Sequence, residues 1–296
     1  MNRIPRRDLL KNGAAALAAS AITSTLSGCR ALSAKRAAER KSGMRFIHAT
    51  DTHLDLGKPD TVKWMEMLVE KINREYGSLD FVLFGGDNFN NNVQGKDDAI
   101  KFKQIIDKLH CPTYLVRGNK ESTPKPASDP LDQPGFAKMF FSNDFEVHGR
   151  DWKLMNGDYA ILGIDTTIEQ QGNGMFSQQS LSFIEDELKN NPSTSYIVLN
   201  HQVYDNFWKG DDEKDIHKYV LNNADVAKKR LFNYPNLLMT LSGHKHLDSV
   251  TKQQGTTVIA TLGFVVPQDP DNLNDHQMRY VEITGARIKE KLVSIV

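Results

Sequence analysis

A chain of 296 residues with 37 basic and 37 acidic side chains carries no formal net charge, and 39% of it is hydrophobic. This is the composition of a folded globular protein with ample chain for a large core, and it excludes disordered and collagen-like classes. Zero net charge argues against nucleic acid as a partner held by a broad basic face, and two cysteines cannot build a disulfide framework.

Residues 1–28 read as an export signal peptide, with Arg3, Arg6, Arg7 and Lys11 ahead of an Ala-rich apolar stretch from Gly13 to Leu26. Ser20, Thr23 and Ser24 interrupt that stretch, which falls short of the roughly 20 apolar residues a membrane span needs. The run from Pro5 to Lys11 resembles a twin-arginine signal, and Leu26-Ser27-Gly28-Cys29 resembles a bacterial lipoprotein cleavage box. On that reading the mature chain starts at a lipidated Cys29, anchored to the membrane of the bacterial cell envelope and facing the periplasm. A short N-terminal helix on a cytoplasmic protein is the competing reading. Residues 29–43 are rich in Ala, Lys and Arg, and read either as a basic tether over anionic lipid or as a solvated linker. Loss of residues 1–28 removes four basic residues and Asp8, leaving 33 basic against 36 acidic, so the mature chain is slightly acidic. It also leaves Cys111 without a partner, which reads as an inert buried thiol.

From Met44 onward, through residues 44–296, short apolar runs alternate with amphipathic segments. Met44 to Thr50 predicts a strand and Asp60 to Tyr76 a helix, with Val62, Met65, Leu68, Val69 and Ile72 on one face. Leu79 to Phe84 is the next strand, Lys96 to Leu109 the next helix, and Pro112 to Val116 a third strand. This β-α-β-α-β opening implies parallel strands with helical crossovers and an α/β fold. Further strands are expected at 159–164, 196–199, 237–241, 256–261, 278–283 and 289–296, with helices at 178–189 and 222–232. The late strands follow one another without helices, which predicts a more antiparallel sheet in the second half.

Five short segments lie just past the apolar runs. In order they are Asp51-Thr52-His53, Gly86-Asp87-Asn88, Gly118-Asn119-Lys120-Glu121, Asn200-His201 and Gly243-His244-Lys245-His246. Ligands bind beyond the carboxyl ends of strands in open α/β sheets, so the five can converge on one crevice. Carboxylate, amide and imidazole donors without thiolate suit Mn, Fe or Zn. Each fragment alone is a common surface loop; the ordered set is specific. As a set it resembles the calcineurin-like metallophosphoesterase family, over essentially the whole chain from Met44.

That resemblance implies a four-layer α/β/β/α sandwich of two mixed sheets flanked by helices. It also implies two divalent metal ions and a metal-dependent hydrolase of phosphate esters, either phosphomonoesterase or phosphodiesterase. Carried over, Asp51, His53 and His246 would hold the first metal, Asn119, His201 and His244 the second, and Asp87 would bridge them. Two adjacent cations can deprotonate a shared water as nucleophile and clamp the reacting phosphate. Asn88 is a candidate for substrate binding, with an Asx-turn as the alternative. The chain departs from the family at Lys120, where the pattern has His. A lysine supplies charge to a phosphate, but its ordinary pKa of about 10.4 makes it a poor acid near neutrality. Lys120 therefore reads as a phosphate clamp, with Glu121 beside it as the second catalytic candidate.

Substrate choice falls to the loops at 88–95, 122–135, 202–217 and 263–276. Tyr204, Phe207 and Trp208 are candidates for stacking on a small phosphate-ester substrate, or for ordinary packing. His48, His110 and His148 read as structural, while His217 and His276 stay open. The same motifs also fit a nucleotide or lipid-headgroup pyrophosphate hydrolase, or a metal-binding protein that lost turnover through Lys120.

Overall fold

The computed structural model describes residues 43–90, 96–122, 131–208, 213–265 and 276–296, and among these twelve strands form two sheets. The expected signal peptide, Cys29 and the expected tether up to residue 42 lie outside the described residues, as do 91–95, 123–130, 209–212 and 266–275 of the candidate loops. β1 (Gly43–Ala49), β2 (Phe81–Phe84) and β3 (Thr113–Leu115) are parallel neighbours, with Phe46 opposite Phe81 and Val82 opposite Thr113. Helices α1 (Pro59–Glu75) and α2 (Asp97–Ile106) connect them. Pro59 suits the first turn of α1, where its missing N–H costs nothing, and Met65, Leu68, Val69 and Ile72 form the buried stripe.

Alternation along the strands sorts side chains into three apolar layers. Ile47, Val82 and Leu115 pack with Leu68 of α1, Phe102 of α2 and Phe136 of α4 (Gln133–Phe140). Their neighbours Phe46, Leu83 and Val116 face the other way, onto Ile161, Leu199 and Leu241 of the second sheet. On the far side of that sheet, Leu162 and Val198 meet Ile184 of α5 (Gln178–Asn190) and Leu231 of α7 (Ala224–Leu231). The result is an α/β/β/α sandwich of two mixed sheets. Each fully buried side chain of this size contributes roughly 1.5–3 kcal/mol.

The second sheet runs β4 (Glu146–His148), β5 (Asp151–Asn156), β6 (Tyr159–Gly163), β7 (Ser195–Leu199), β8 (Leu237–Ser242), β10 (Thr256–Ala260) and β9 (Ser249–Gln253). The expectation of a more antiparallel second half is met at the β4–β5–β6 and β9–β10 pairs and in the last hairpin, whereas β6, β7, β8 and β10 are parallel. β8 and β10 run parallel without a helix between them because β9 supplies the return path. The last hairpin, β11 (Gln277–Thr284) with β12 (Arg287–Ser294), joins the first sheet instead, beside β1. Two stretches expected as loops contain helices, α4 and α6 (Glu213–Tyr219).

One side chain ties the sheets together by a hydrogen bond as well as by packing. Trp152 on β5 donates its indole N–H to the Leu115 carbonyl of β3, at 2.9 Å. Gly163 on β6 lies directly against that indole, so a Cβ there would overlap the ring. Gly163→Ala is expected to destabilise the fold by roughly 1–3 kcal/mol. A lowered urea midpoint at unchanged m-value would bear this out, whereas a parental midpoint would show that the contact imposes no constraint.

Candidate metal centre

The five motif segments begin within a few residues of the carboxyl ends of parallel strands β1, β2, β3, β7 and β8. Two sheets therefore contribute to one crevice. Backbone hydrogen bonds hold the segments together: Asp51 N–H donates to Gly86 O at 3.0 Å, His53 N–H to Asp87 O at 2.9 Å, and Gly243 N–H to His201 O at 2.9 Å. Asp51, His53, Asp87, His244 and His246 all have left-handed backbones, with φ between 44° and 65°. Such conformations cost a non-glycine residue on the order of 1–3 kcal/mol each, and their clustering here marks a functional turn set. Of the motif glycines, Gly86 shares the positive φ, at 93°, whereas Gly118 is needed for close approach, since a Cβ there would strike Asp87.

The side chains form two groups. Asp51, His53 and His246 make the first, and Asp87, His201 and His244 the second; in each, one potential ligand atom per residue lies within 4.8 Å of the others. Asp87 stands between them, with one oxygen 3.9 Å from His53 Nε2 and the other 3.4 Å from His201 Nε2. Asn119, opening the short helix α3 (Asn119–Ser122), puts its Oδ1 3.2 Å from His201 Nε2. Asp51 Oδ1 lies 3.0 Å from His246 Nε2, 3.8 Å from His53 Nε2 and 3.9 Å from His201 Nε2.

The outer hydrogen bonds fix the imidazole tautomers. His201 Nδ1 donates to Gly85 O at 2.8 Å, so a neutral ring presents the Nε2 lone pair to the carboxylates. His244 Nε2 donates to Lys218 O at 2.8 Å, leaving Nδ1 as its free acceptor. His53 Nδ1 meets Asn90 Oδ1 at 2.9 Å, and that amide is oriented by its own Nδ2 donating to Asp55 Oδ2 at 3.2 Å. His53 Nε2 consequently turns its lone pair toward His246 Nε2, 3.2 Å away. Lone pairs converging on each other and on carboxylates are mutually repulsive unless positive charge lies among them, and outer partners of this kind are typical of metal-ligating histidines. This donor set fits divalent cations.

The electrostatics agree. Burial alone would raise Asp51 and Asp87, but the surrounding imidazoles, His246 and His201 for Asp51 and His201 for Asp87, hold both well below the usual carboxylate range. Burial opposes a proton on His201, yet Asp87 and Asp51 raise its pKa to about 9. The two carboxylates thus call for a cation at this point. His244 moves the other way, to about 4, through burial and the nearby His201.

Four sequence-predicted residues fall elsewhere than expected, or in a position that narrows their role. Glu121 is 1% exposed and turns away from the crevice. Its carboxylate accepts from the backbone amides of Asp87, Asn88, Phe89 and Gly118, at 2.6–3.2 Å. That geometry corrects the catalytic expectation: Glu121 positions the Asp87 and Asn119 turns. Burial and Asp87 push its pKa up, to about 7, against the pull of those amides. Asn88, expected to bind substrate, is fully buried and donates to Val116 O at 3.0 Å. Tyr204, also expected to bind substrate, is a core residue packed on Phe176 and Phe232, because the turn after His201 sends it under the second sheet. Lys120 does reach a cleft of about 560 Å³ that is lined by His53 and His246, and its backbone N–H donates to Asp87 Oδ1 at 2.7 Å.

Sequence reading missed three other groups around the crevice. Asn90 and Asp55 orient His53, although only their closeness to Asp87 and Asp51 in the chain signals it. Lys245 is 4% exposed, and its ammonium lies 4.4 Å from the Trp208 ring centre and 4.1 Å from that of Tyr219. Trp64, in the first half of α1, lines the cleft and packs on His276 with ring centres 4.0 Å apart. His217, by contrast, is exposed on α6.

A family model described as calcineurin-like phosphoesterase matches residues 44–248. The chain is 24% identical over 221 residues to a probable glycerophosphodiester phosphodiesterase of Arcobacter nitrofigilis, covering 70% of this chain and 74% of that protein. It is 22% identical over 242 residues to a 3′,5′-cyclic adenosine monophosphate phosphodiesterase of Vibrio vulnificus, covering 78% and 80%. Among solved structures, the fold is similar to a dimetal phosphatase from Danio rerio, with a TM-score of 0.61 at 12% identity over 86% of this chain and 100% of that one. It is also similar to a purple acid phosphatase from yellow lupin, with a TM-score of 0.56 at 13% identity over 86% and 52%.

Glu121→Gln tests the reassigned residue. The glutamine NH₂ would face two backbone donors, for a loss of about 2–4 kcal/mol in stability by urea denaturation. A variant of parental stability with only turnover impaired would restore Glu121 as a catalytic acid.

Proposed function

The chain belongs to the calcineurin-like phosphoesterase family of metal-dependent phosphate-ester hydrolases, and from that premise we propose that it is a dinuclear phosphodiesterase. The observation that carries this reading is the convergence of tautomer-fixed imidazoles on Asp51 and Asp87. Asp51, His53 and His246 would hold one divalent cation, Asn119, His201 and His244 the other, with Asp87 shared. When bound, such a pair supplies Lewis acidity and an activated water. Imidazole and oxygen donors suit Mn, Fe or Zn.

The protein's own part is orientation and charge. Asn90, the Gly85 carbonyl and the Lys218 carbonyl aim three imidazoles, and Glu121 fixes the turn that carries Asp87. Lys120, on the cleft, is a compact cation for a non-bridging phosphoryl oxygen. Preference for diesters is supported by the names of the relatives, which act on glycerophosphodiesters and cyclic nucleotides. Attachment through a lipidated Cys29, facing the periplasm, is part of the proposal and rests on the sequence of residues 1–43 alone. Among the described residues no helix is long and apolar enough to cross a membrane. Incorporation of labelled palmitate into the parent and its loss in Cys29→Ser is the result expected of that anchor; equal labelling of both would remove it.

Metal analysis joined to hydrolysis of bis(p-nitrophenyl) phosphate and p-nitrophenyl phosphate tests the activity. About two metals per chain are expected, with the diester favoured at least tenfold in kcat/KM. Lys120→Ala is expected to lower diester kcat/KM by about 10- to 100-fold at unchanged metal content. Full metal loading without hydrolysis of either ester would instead support a protein that binds metal and has lost turnover.

A further inference from the structure

The cleft beside His53 and His246 has a second wall that the phosphate chemistry does not use. Pro59, Trp64 and Val265 line it, together with Lys120. Its volume, about 560 Å³, is in the range of sites that enclose a whole small molecule, more than a phosphoryl group requires. Trp64 is packed there against a fastened neighbour. His276 covers part of the indole at a ring-centre distance of 4.0 Å and a tilt of 32°, and His276 Nδ1 is itself fastened to Phe264 O at 2.9 Å. His276 adopts a left-handed backbone, φ 39°, to reach that position. The indole surface left accessible by this packing fronts the cleft.

Building on the phosphodiesterase reading, we infer that Trp64 is a stacking platform for a neutral aromatic arm of the substrate, so that the site takes nucleoside-bearing phosphodiesters. A preordered indole offers a flat apolar face, and base–aromatic stacking tolerates any base because every base has a π-face. The charged residues lining the cleft decide against the other ligand that a tryptophan recruits, a quaternary ammonium. Lys58 and Lys120 outnumber Asp60, and no Phe, Tyr or second Trp lines the cleft with Trp64 among the described residues. A cage for choline is built from several aromatic rings, and a cationic lining repels it. A neutral base meets no such repulsion, while its phosphate is drawn to Lys120 and the ligand cluster. Trp64 is thus a specificity-determining residue, remote from bond cleavage.

The test uses the metal-loaded full chain with three diesters: 3′,5′-cyclic adenosine monophosphate, glycerophosphocholine and glycerophosphoethanolamine. The nucleoside diester is expected to have the highest kcat/KM. Trp64→Leu should raise its KM about 5- to 150-fold, the span of a base–aromatic stack, with kcat within about twofold and the two glycerol diesters unaffected. Trp64→Phe should recover most of the loss. Adenosine 5′-monophosphate should quench tryptophan fluorescence saturably in the parent and not in Trp64→Leu. Equal loss on all three diesters, a preference for the choline ester, or unchanged quenching in Trp64→Leu would overturn the stacking role. Hydrolysis of none of the diesters by the fully loaded parent would sink the phosphodiesterase reading instead, and the quenching experiment would still report on Trp64.

Discussion

Two carboxylates, Asp51 and Asp87, are buried where the two sheets meet, and each faces imidazole nitrogens whose protons are committed elsewhere. An uncompensated charge in such a place is costly, and it is offset by bound cations or, without them, by a proton on His201. Asp51, His53 and Asp87 follow strands of the first sheet, and His201, His244 and His246 follow strands of the second. The metal centre consequently exists only when the apolar layer between the sheets is packed. Trp152, which joins β5 to β3 within that layer, belongs to the same dependence.

Around that pair the backbone and outer side chains set geometry. Five potential ligands adopt left-handed conformations, which an aspartate or histidine tolerates better than a branched residue does. Glu121 collects four amides and so sets two of the turns at once. Lys245, between His244 and His246 in the chain, is buried against two aromatic rings and does not line the cleft where Lys120 lies. The division of labour is between residues that would touch metal, residues that aim them, and one lysine that would meet the phosphate.

Much of this was legible in the sequence because the candidate ligands fall immediately after apolar runs, and strand ends are the easiest boundaries to see. What stayed hidden depends on direction. Lys120 and Glu121 are neighbours on α3, and successive helical residues point about 100° apart. Without the register of that helix, nothing in the sequence says which one faces the cleft. Tyr204 follows His201 by three residues, but its partners Phe176 and Phe232 are far off in the chain, so its burial could not be read locally. Asn88 is turned under the sheet by the same left-handed turn that carries Asp87. The parallel pairing of β8 with β10 was equally concealed, since consecutive strands without a helix ordinarily form hairpins.

The account stands on a shared carboxylate between two adjacent cations. Electron paramagnetic resonance of the Mn(II)-loaded protein measures this most directly, because two ions bridged by one ligand are exchange-coupled. The parent should give the spectrum of a coupled Mn(II) pair, and Asp87→Asn should give isolated Mn(II) with loss of about one ion per chain. Isolated, uncoupled Mn(II) in the fully loaded parent would contradict the dinuclear centre.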